Sequence, residues 1–138
     1  MADHSAIEWT DATWNPVTGC TKITAGCDNC YAHAVAHTRT RDIYLKQAPV
    51  RDSESARVDP FAPRFWVDRL ETPLKWATPR RIFVNSMSDV FHAHFTTEQI
   101  RMVFDVMNAC PQHQFQLLTK RPERAVRLAT EFAWTENI

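Results

Sequence analysis

Two short apolar runs, each turning polar at its end, limit the possible folds of this chain more than any other feature. Arg81-Ile82-Phe83-Val84-Asn85-Ser86 reads as a parallel strand covered on both faces, and Gln114-Phe115-Gln116-Leu117-Leu118-Thr119 as the next strand. Each is followed by a helical pattern. After the first, Thr96 stands as N-cap with Gln99 three residues on, and Ile100, Val103, Phe104 and Met107 form an apolar stripe that Cys110-Pro111 ends. After the second, Pro122 takes the first helical position, and Ala125, Val126, Ala129 and Phe132 are expected on the inner face. Upstream, residues 7–19 have strand composition, punctuated by Asn15-Pro16 and Gly19. A helix is expected from Asp28 or Asn29 to about Lys46, with Tyr31, Ala34, Val35 and Thr38 on one stripe. The order strand, helix, strand, helix, strand, helix predicts an α/β fold: three βα units with a parallel sheet, in a single domain over 1–138. At 138 residues the chain is too short for a complete (β/α)₈ barrel, which needs about 200–250.

Residues 47–79 interrupt this regularity. They are irregular and rich in Pro, Arg and aromatics, and five prolines argue against a long helix, leaving a short helical turn around Phe65–Leu70. A connection this long implies a functional loop or an ordered excursion. Charge is also uneven. Net charge is zero, yet residues 39–81 carry ten Lys and Arg against six acids. That segment reads either as a solvated face or as a weak phosphate-contacting, nucleic-acid surface. No run approaches a membrane span, and the N-terminus has neither a basic region nor an apolar core like those of secretory signals, so the expected location is the cytoplasm.

Three of the four cysteines fall within the loop 20–30, as Cys20-x6-Cys27-x2-Cys30. Cys110 stands apart, as a small buried residue. An odd, clustered set in a reducing compartment argues against disulfides. Two metal chemistries fit the spacing. The three thiolates could hold three irons of a [4Fe–4S] cluster and leave the fourth open. Alternatively, Zn²⁺ could take Cys20, Cys27, Cys30 and His33 as a closed tetrahedral set. Packed, reduced cysteines without metal are the third possibility. His33 and His37, one turn apart, are a further candidate pair or simply exposed helix residues.

In parallel α/β folds the chemistry gathers at the carboxyl ends of the strands. The three strand ends here carry the cysteine loop, Asn85-Ser86-Met87-Ser88-Asp89 and Thr119-Lys120-Arg121. Asn85, Ser86, Ser88, Asp89, Thr119 and Lys120 are therefore the candidate cofactor-binding residues. Ser and Asp there serve equally as turn and cap residues. Lys120 and Arg121 are either surface cations or holders of a carboxylate or phosphate. His92 and His94 either join a metal or pack between Phe91 and Phe95.

Trp14-Asn15-Pro16-Val17-Thr18-Gly19-Cys20, Gly26-Cys27-Asp28-Asn29-Cys30-Tyr31-Ala32, Ile82 through Phe91 and Leu118-Thr119-Lys120-Arg121-Pro122 resemble the phage and mobile-element three-cysteine-motif proteins. That family is similar to the radical S-adenosylmethionine (SAM) enzymes, whose fold is a partial (β/α)₆ barrel. The resemblance implies that Cys20, Cys27 and Cys30 bind a [4Fe–4S] cluster and that SAM chelates its open iron. Reductive cleavage would then give a 5′-deoxyadenosyl radical that abstracts hydrogen from an unknown substrate. It also implies the cytoplasm of a host bacterium.

The sequence departs from the radical-SAM pattern in three ways. The first cysteine gap is longer than the usual C-x3-C-x2-C. Asn85–Asp89 stands where Gly-Gly-Glu usually lies. Family members are also about twice this length. The chain stops after Ile138, where a fourth strand is expected, as in a half-barrel whose open edge invites a second copy or a protein partner. The alternative is a non-enzymatic zinc-binding or interaction protein, such as a phage-encoded inhibitor or adaptor, on a shortened fold of this type.

Overall fold

The structure is a computed structural model, and it describes residues 4–138. Among these residues five strands form two sheets: β1 (Ala12–Trp14), β2 (Val17–Thr18), β3 (Arg64–Phe65), β4 (Arg81–Val84) and β5 (Gln114–Leu117). The helices are α1 (Tyr31–His37), α2 (Arg41–Tyr44), α3 (Glu54–Val58), α4 (Thr97–Asn108) and α5 (Pro122–Leu128). The main sheet has the order β1-β4-β5 and is parallel throughout, with Ala12 opposite Ile82 and Ile82 opposite Phe115. A mixed α/β architecture around a three-stranded parallel sheet is thus what the alternation of patterns produces. Among the described residues no helix is long and apolar enough to cross a membrane.

The main core lies between this sheet and α4. Ile100, Val103, Phe104 and Met107 are all buried, and they meet Trp14, Ile82, Val84 and Phe115. The expected cap of α4 forms as a full capping box: the Thr96 hydroxyl accepts from the Gln99 N–H at 3.1 Å, and the Gln99 side chain accepts from the Thr96 N–H at 3.0 Å. Cys110 is fully buried. A second apolar cluster of Ala32, Ala36, Tyr44, Phe61, Trp66 and Met87 supports the cysteine loop.

Three expectations need correction. The strand expected over 7–19 is regular only at β1 and β2. Thr10 ties its hydroxyl to the carbonyls of Ala12 and Arg81, both at 3.0 Å, and Pro16 separates the two strands. The helix expected to reach Lys46 breaks between α1 and α2. There Thr38 bonds back to the Ala34 carbonyl at 2.7 Å and Thr40 to the Val35 carbonyl at 3.2 Å, so hydroxyls compete with the helical ladder. In α5, Val126 faces solvent at 76% exposure, while Ala125 and Leu128 pack on the core.

Residues 47–79 form an ordered excursion. Besides α3 they contain 3₁₀ turns at Val67–Arg69, within the helical stretch expected there, and at Thr72–Lys75. Arg64 is fully buried and donates to the carbonyls of Gln47, Asp59, Ala62 and Ala56 at 2.8–3.1 Å, gathering the loop around one guanidinium. β3 pairs antiparallel with β2, and the Trp66 indole donates to the Thr18 hydroxyl at 2.8 Å. These bonds fasten the excursion behind the cysteine loop. At the far edge of the sheet, the Asn137 carbonyl accepts from the Phe115 N–H at 2.6 Å, so residue 137 lies along β5.

Candidate functional site at the strand ends

The parallel order brings the three strand ends to one edge of the sheet. Each is then locked by short polar contacts. Beyond β1, Asn15 is buried, and its Oδ1 accepts from the Met87 N–H at 3.0 Å while its Nδ2 donates to the Ser86 hydroxyl at 3.1 Å. Gly19 follows at φ 85°, pressed so closely on the excursion that a Cβ would sit 2.3 Å from the Ala62 carbonyl oxygen. Only glycine combines that conformation with that approach. Ser88 donates to the Gly19 carbonyl at 2.5 Å, and the Gly19 N–H bonds to the Met87 carbonyl at 3.0 Å.

Asp89 joins the second strand end to the third. Its buried carboxylate accepts from the Phe91 N–H at 3.0 Å, the Thr119 hydroxyl at 2.9 Å, the Lys120 N–H at 2.9 Å and the Arg121 guanidinium at 3.2 Å. Arg121 continues across to the first strand end. It donates to the Cys20 sulfur at 3.3 Å and to the Thr21 carbonyl at 3.1 Å. The Lys120 ammonium donates to the Cys27 sulfur at 3.5 Å.

These contacts enclose a pocket of about 230 Å³. Cys20, Cys27 and Cys30 line it together with all six candidate cofactor residues, Asn85, Ser86, Ser88, Asp89, Thr119 and Lys120. The six are not alike. Ser86, Ser88, Asp89 and Thr119 spend their polar atoms on the protein itself and brace the loops. Asn85 does not. It holds φ 63°, is only 4% exposed, and among the described residues neither its Nδ2 nor its Oδ1 has a hydrogen-bond partner. Leaving a buried polar atom unmade costs roughly 1–3 kcal/mol, so this amide is an expensive wall residue.

The thiols differ in environment. Burial pushes the Cys20 thiol up, opposed by the charge and hydrogen bond of Arg121. Cys27 is half-buried in its loop. Backbone hydrogen bonds from Ile23 and Thr24 lower it to about 7, aided by the Thr24 hydroxyl and Lys120. Cys30 caps the start of α1 and rests on the apolar cluster below. The sulfurs share one pocket without forming a ready ligand set: among the described residues no three His, Cys, Asp or Glu side chains are grouped closely enough to hold an ion. The donor chemistry nonetheless suits a thiolate-held group, since a cation touches two of the three sulfurs and would balance their negative charge.

The histidines lie apart from this set. His33 is exposed, stacked on His37 with centroids 4.1 Å apart and edge-on to Phe61, and it does not line the pocket. His92 is buried, with Nε2 2.9 Å from the Thr21 hydroxyl, and burial together with the Arg121 charge lowers it to about 4. His94 stacks edge-on against it.

A family model described as "Protein of unknown function (DUF5131)" matches residues 4–138. This chain belongs to the DUF5131 family. Neither the curated proteins nor the solved structures contain a match to it. The DUF5131 match spans every residue of the pocket. Two of these DUF5131 site residues are understated by sequence reasoning. Asn15 reads only as a turn residue beside Pro16, and Arg121 reads as a surface cation or a holder of a carboxylate or phosphate, not as a bridge between strand ends. Their signal is positional: each stands within two residues of a strand-end motif and carries a side chain long or polar enough to bridge to the next.

Proposed function

We propose that this chain is an iron–sulfur protein of radical-SAM type, with Cys20, Cys27 and Cys30 holding a [4Fe–4S] cluster and SAM bound beside it. The observation that carries this reading is the pocket itself. Three cysteines and three strand-end loops meet there, and the buried amide of Asn85 in its wall has no hydrogen-bond partner among the described residues. The sequential parallel order β1-β4-β5 matches what the first three units of a partial barrel would give.

When bound, the cluster would supply one electron to cleave SAM and so generate a radical able to abstract hydrogen. The chain's own residues have definable tasks. Arg121 and Lys120 offset the negative charge of Cys20 and Cys27. Asp89 fixes Arg121 and the turn after β5, so both cations keep their positions. Asn85 can give one donor and one acceptor to a polar ligand, and its own backbone N–H, bonded to the Trp14 carbonyl at 2.8 Å, fixes where that amide lies. Ile23, Phe83 and Leu118 supply an apolar lining beside these groups. Leu118 is 63% exposed, and this side of the sheet is where a second copy or a protein partner would close the site.

The test is anaerobic reconstitution with iron and sulfide, followed by metal analysis and an assay for 5′-deoxyadenosine from SAM under reduction. Close to four irons per chain and SAM cleavage that disappears in Cys27→Ala are expected. One tightly held zinc per chain with no brown chromophore would overturn the reading.

A further inference from the structure

Beside the cysteine pocket lies a wider groove of about 510 Å³. Phe91 and Ala93 form one side, and residues 120–127, from the turn after β5 through the last turn of α5, form the other, with Lys120, Arg121, Arg124 and Arg127 lining it. Among the described residues, Glu123 is the one acid in its wall. Lys120 and Arg121 line both cavities, so the two are neighbours.

The charges in this groove are poorly compensated. Arg121 is paired with Asp89 at 3.2 Å. Arg124 is fixed by three carbonyls, those of Phe91 (3.1 Å), His92 and Phe95 (2.7 Å), neutral acceptors that leave it without an ion pair among the described residues. Burial first, and then repulsion from Arg127, Arg121 and Arg51, works against its protonation. Arg127 is exposed and, among the described residues, makes no hydrogen bond or ion pair. The last turn of α5 favours one cation there, but it does not account for three guanidinium groups and an ammonium around one groove. Holding like charges together costs free energy that a bound anion would recover.

We propose that this groove binds a phosphate group of the substrate. Arg127 is the donor, and Arg124 and Lys120 are charges held in place beside it by the Phe91, His92 and Phe95 carbonyls and by the Cys27 sulfur. Guanidinium forks match phosphate oxygens in geometry as well as charge, and a groove this wide takes a phosphate ester rather than a lone carboxylate. Because the groove adjoins the cysteine pocket at Lys120 and Arg121, a ligand longer than the phosphate itself would extend toward the site proposed for radical chemistry. The substrate class is therefore a phosphate ester, either a mononucleotide or a nucleic-acid strand. That assignment as substrate rests on the function proposed above; the binding of phosphate does not.

The experiment measures binding of 5′-AMP by calorimetry and of a short fluorescein-labelled oligothymidylate by anisotropy. Both use the full chain at low salt, before and after cluster reconstitution. Binding of at least one probe is expected, weakened about tenfold by Arg127→Gln, largely kept by Arg127→Lys and strengthened by Glu123→Gln. Much tighter binding of the oligonucleotide, falling steeply with salt, assigns a nucleic acid; equal affinities assign a mononucleotide. The proposal is overturned if neither probe binds, or if Arg127→Gln binds like the wild type with unchanged circular dichroism. Should that variant fail to fold, unchanged binding in Glu123→Gln overturns it instead. A chain that takes up no iron yet binds phosphate refutes the function above and keeps the groove. Iron uptake with SAM cleavage but no phosphate binding does the reverse.

Discussion

Replacing Asp89 by alanine tests whether the strand ends are held as one unit. The carboxylate side chain is 7% exposed and Arg121 is 13% exposed, so the pair is largely out of water. Asp89→Ala strands the Arg121 guanidinium and removes the acceptor for the Phe91 and Lys120 N–H groups and the Thr119 hydroxyl. Breaking a buried pair by deleting one partner costs about 3–5 kcal/mol. Water entering from the pocket can solvate the Lys120 side, which argues for the lower half of that range. With a urea slope of about 2 kcal/mol/M for a chain of this size, the unfolding midpoint should fall by about 1.5–2 M. Asp89→Asn keeps the shape and one acceptor but loses the charge, and should lie between wild type and Asp89→Ala. Asp11→Asn is the control, because the Asp11–Arg81 pair is exposed and should contribute little. The assay is urea denaturation followed by circular dichroism, with thiols kept reduced. An Asp89→Ala midpoint within about 0.5 M of wild type would refute the claim that this carboxylate ties β4 to β5.

Three further outcomes are expected. Gly19→Ala meets both a left-handed φ and the Ala62 carbonyl, so its thermal midpoint should drop by about 10 °C or more; an unchanged midpoint would contradict the packing described. Iodoacetamide at neutral pH should label Cys27 well before Cys20, because a thiol at about 7 is roughly half ionised while burial keeps Cys20 protonated; peptide mass spectrometry reads the order, and Lys120→Gln should slow the Cys27 step. His92 titrates at about 4 when folded against an ordinary value near 6.5, so above that value the residue is neutral in both states. As pH falls from 6.5 toward 4 the unfolded chain takes up the proton first, and stability is lost over that window. His92→Gln should flatten the difference between urea midpoints at pH 7 and pH 4.5, and an equal slope in both proteins would count against the burial argument.

The parts of the fold legible in the sequence are those governed by local pattern. The apolar runs at 81–86 and 114–119 become adjacent parallel strands, and Thr96 with Gln99 closes its capping box. What stays hidden depends on contacts between distant segments. Arg64 looks like one more cation in a basic stretch, yet it is fully buried and organises residues 47–79 through carbonyls that are recognisable only once the loop is closed. Arg69 likewise stacks its guanidinium 3.9 Å from the Trp66 ring centroid, so part of the uneven charge in 39–81 is structural. At the site, topology alone brings the nine candidate residues to one edge. Side-chain competition could not be read in advance: nothing in Asn85-Ser86-Met87-Ser88-Asp89 says that the serines and the aspartate find partners while the asparagine finds none.

The register of β1 on β4 also bears on when the site comes into being. Asp11 and Arg81, at the start of that pairing, are 70 residues apart in sequence, whereas β4 and β5 are joined by a connection less than half as long. Each doubling of a closed loop adds about 0.6 kcal/mol of entropic cost, and contacts made across long loops slow folding. We expect the β4–α4–β5 unit to consolidate first and β1 to dock on it afterwards, with amide protection in pulse labelling appearing in that order. Protection of β1 ahead of β4 and β5 would exclude this sequence of events. In that order Cys20 rides on the segment that docks after β4 and β5 have paired, so a chain still folding presents its cysteines untethered, and the pocket exists only once β1 is in place.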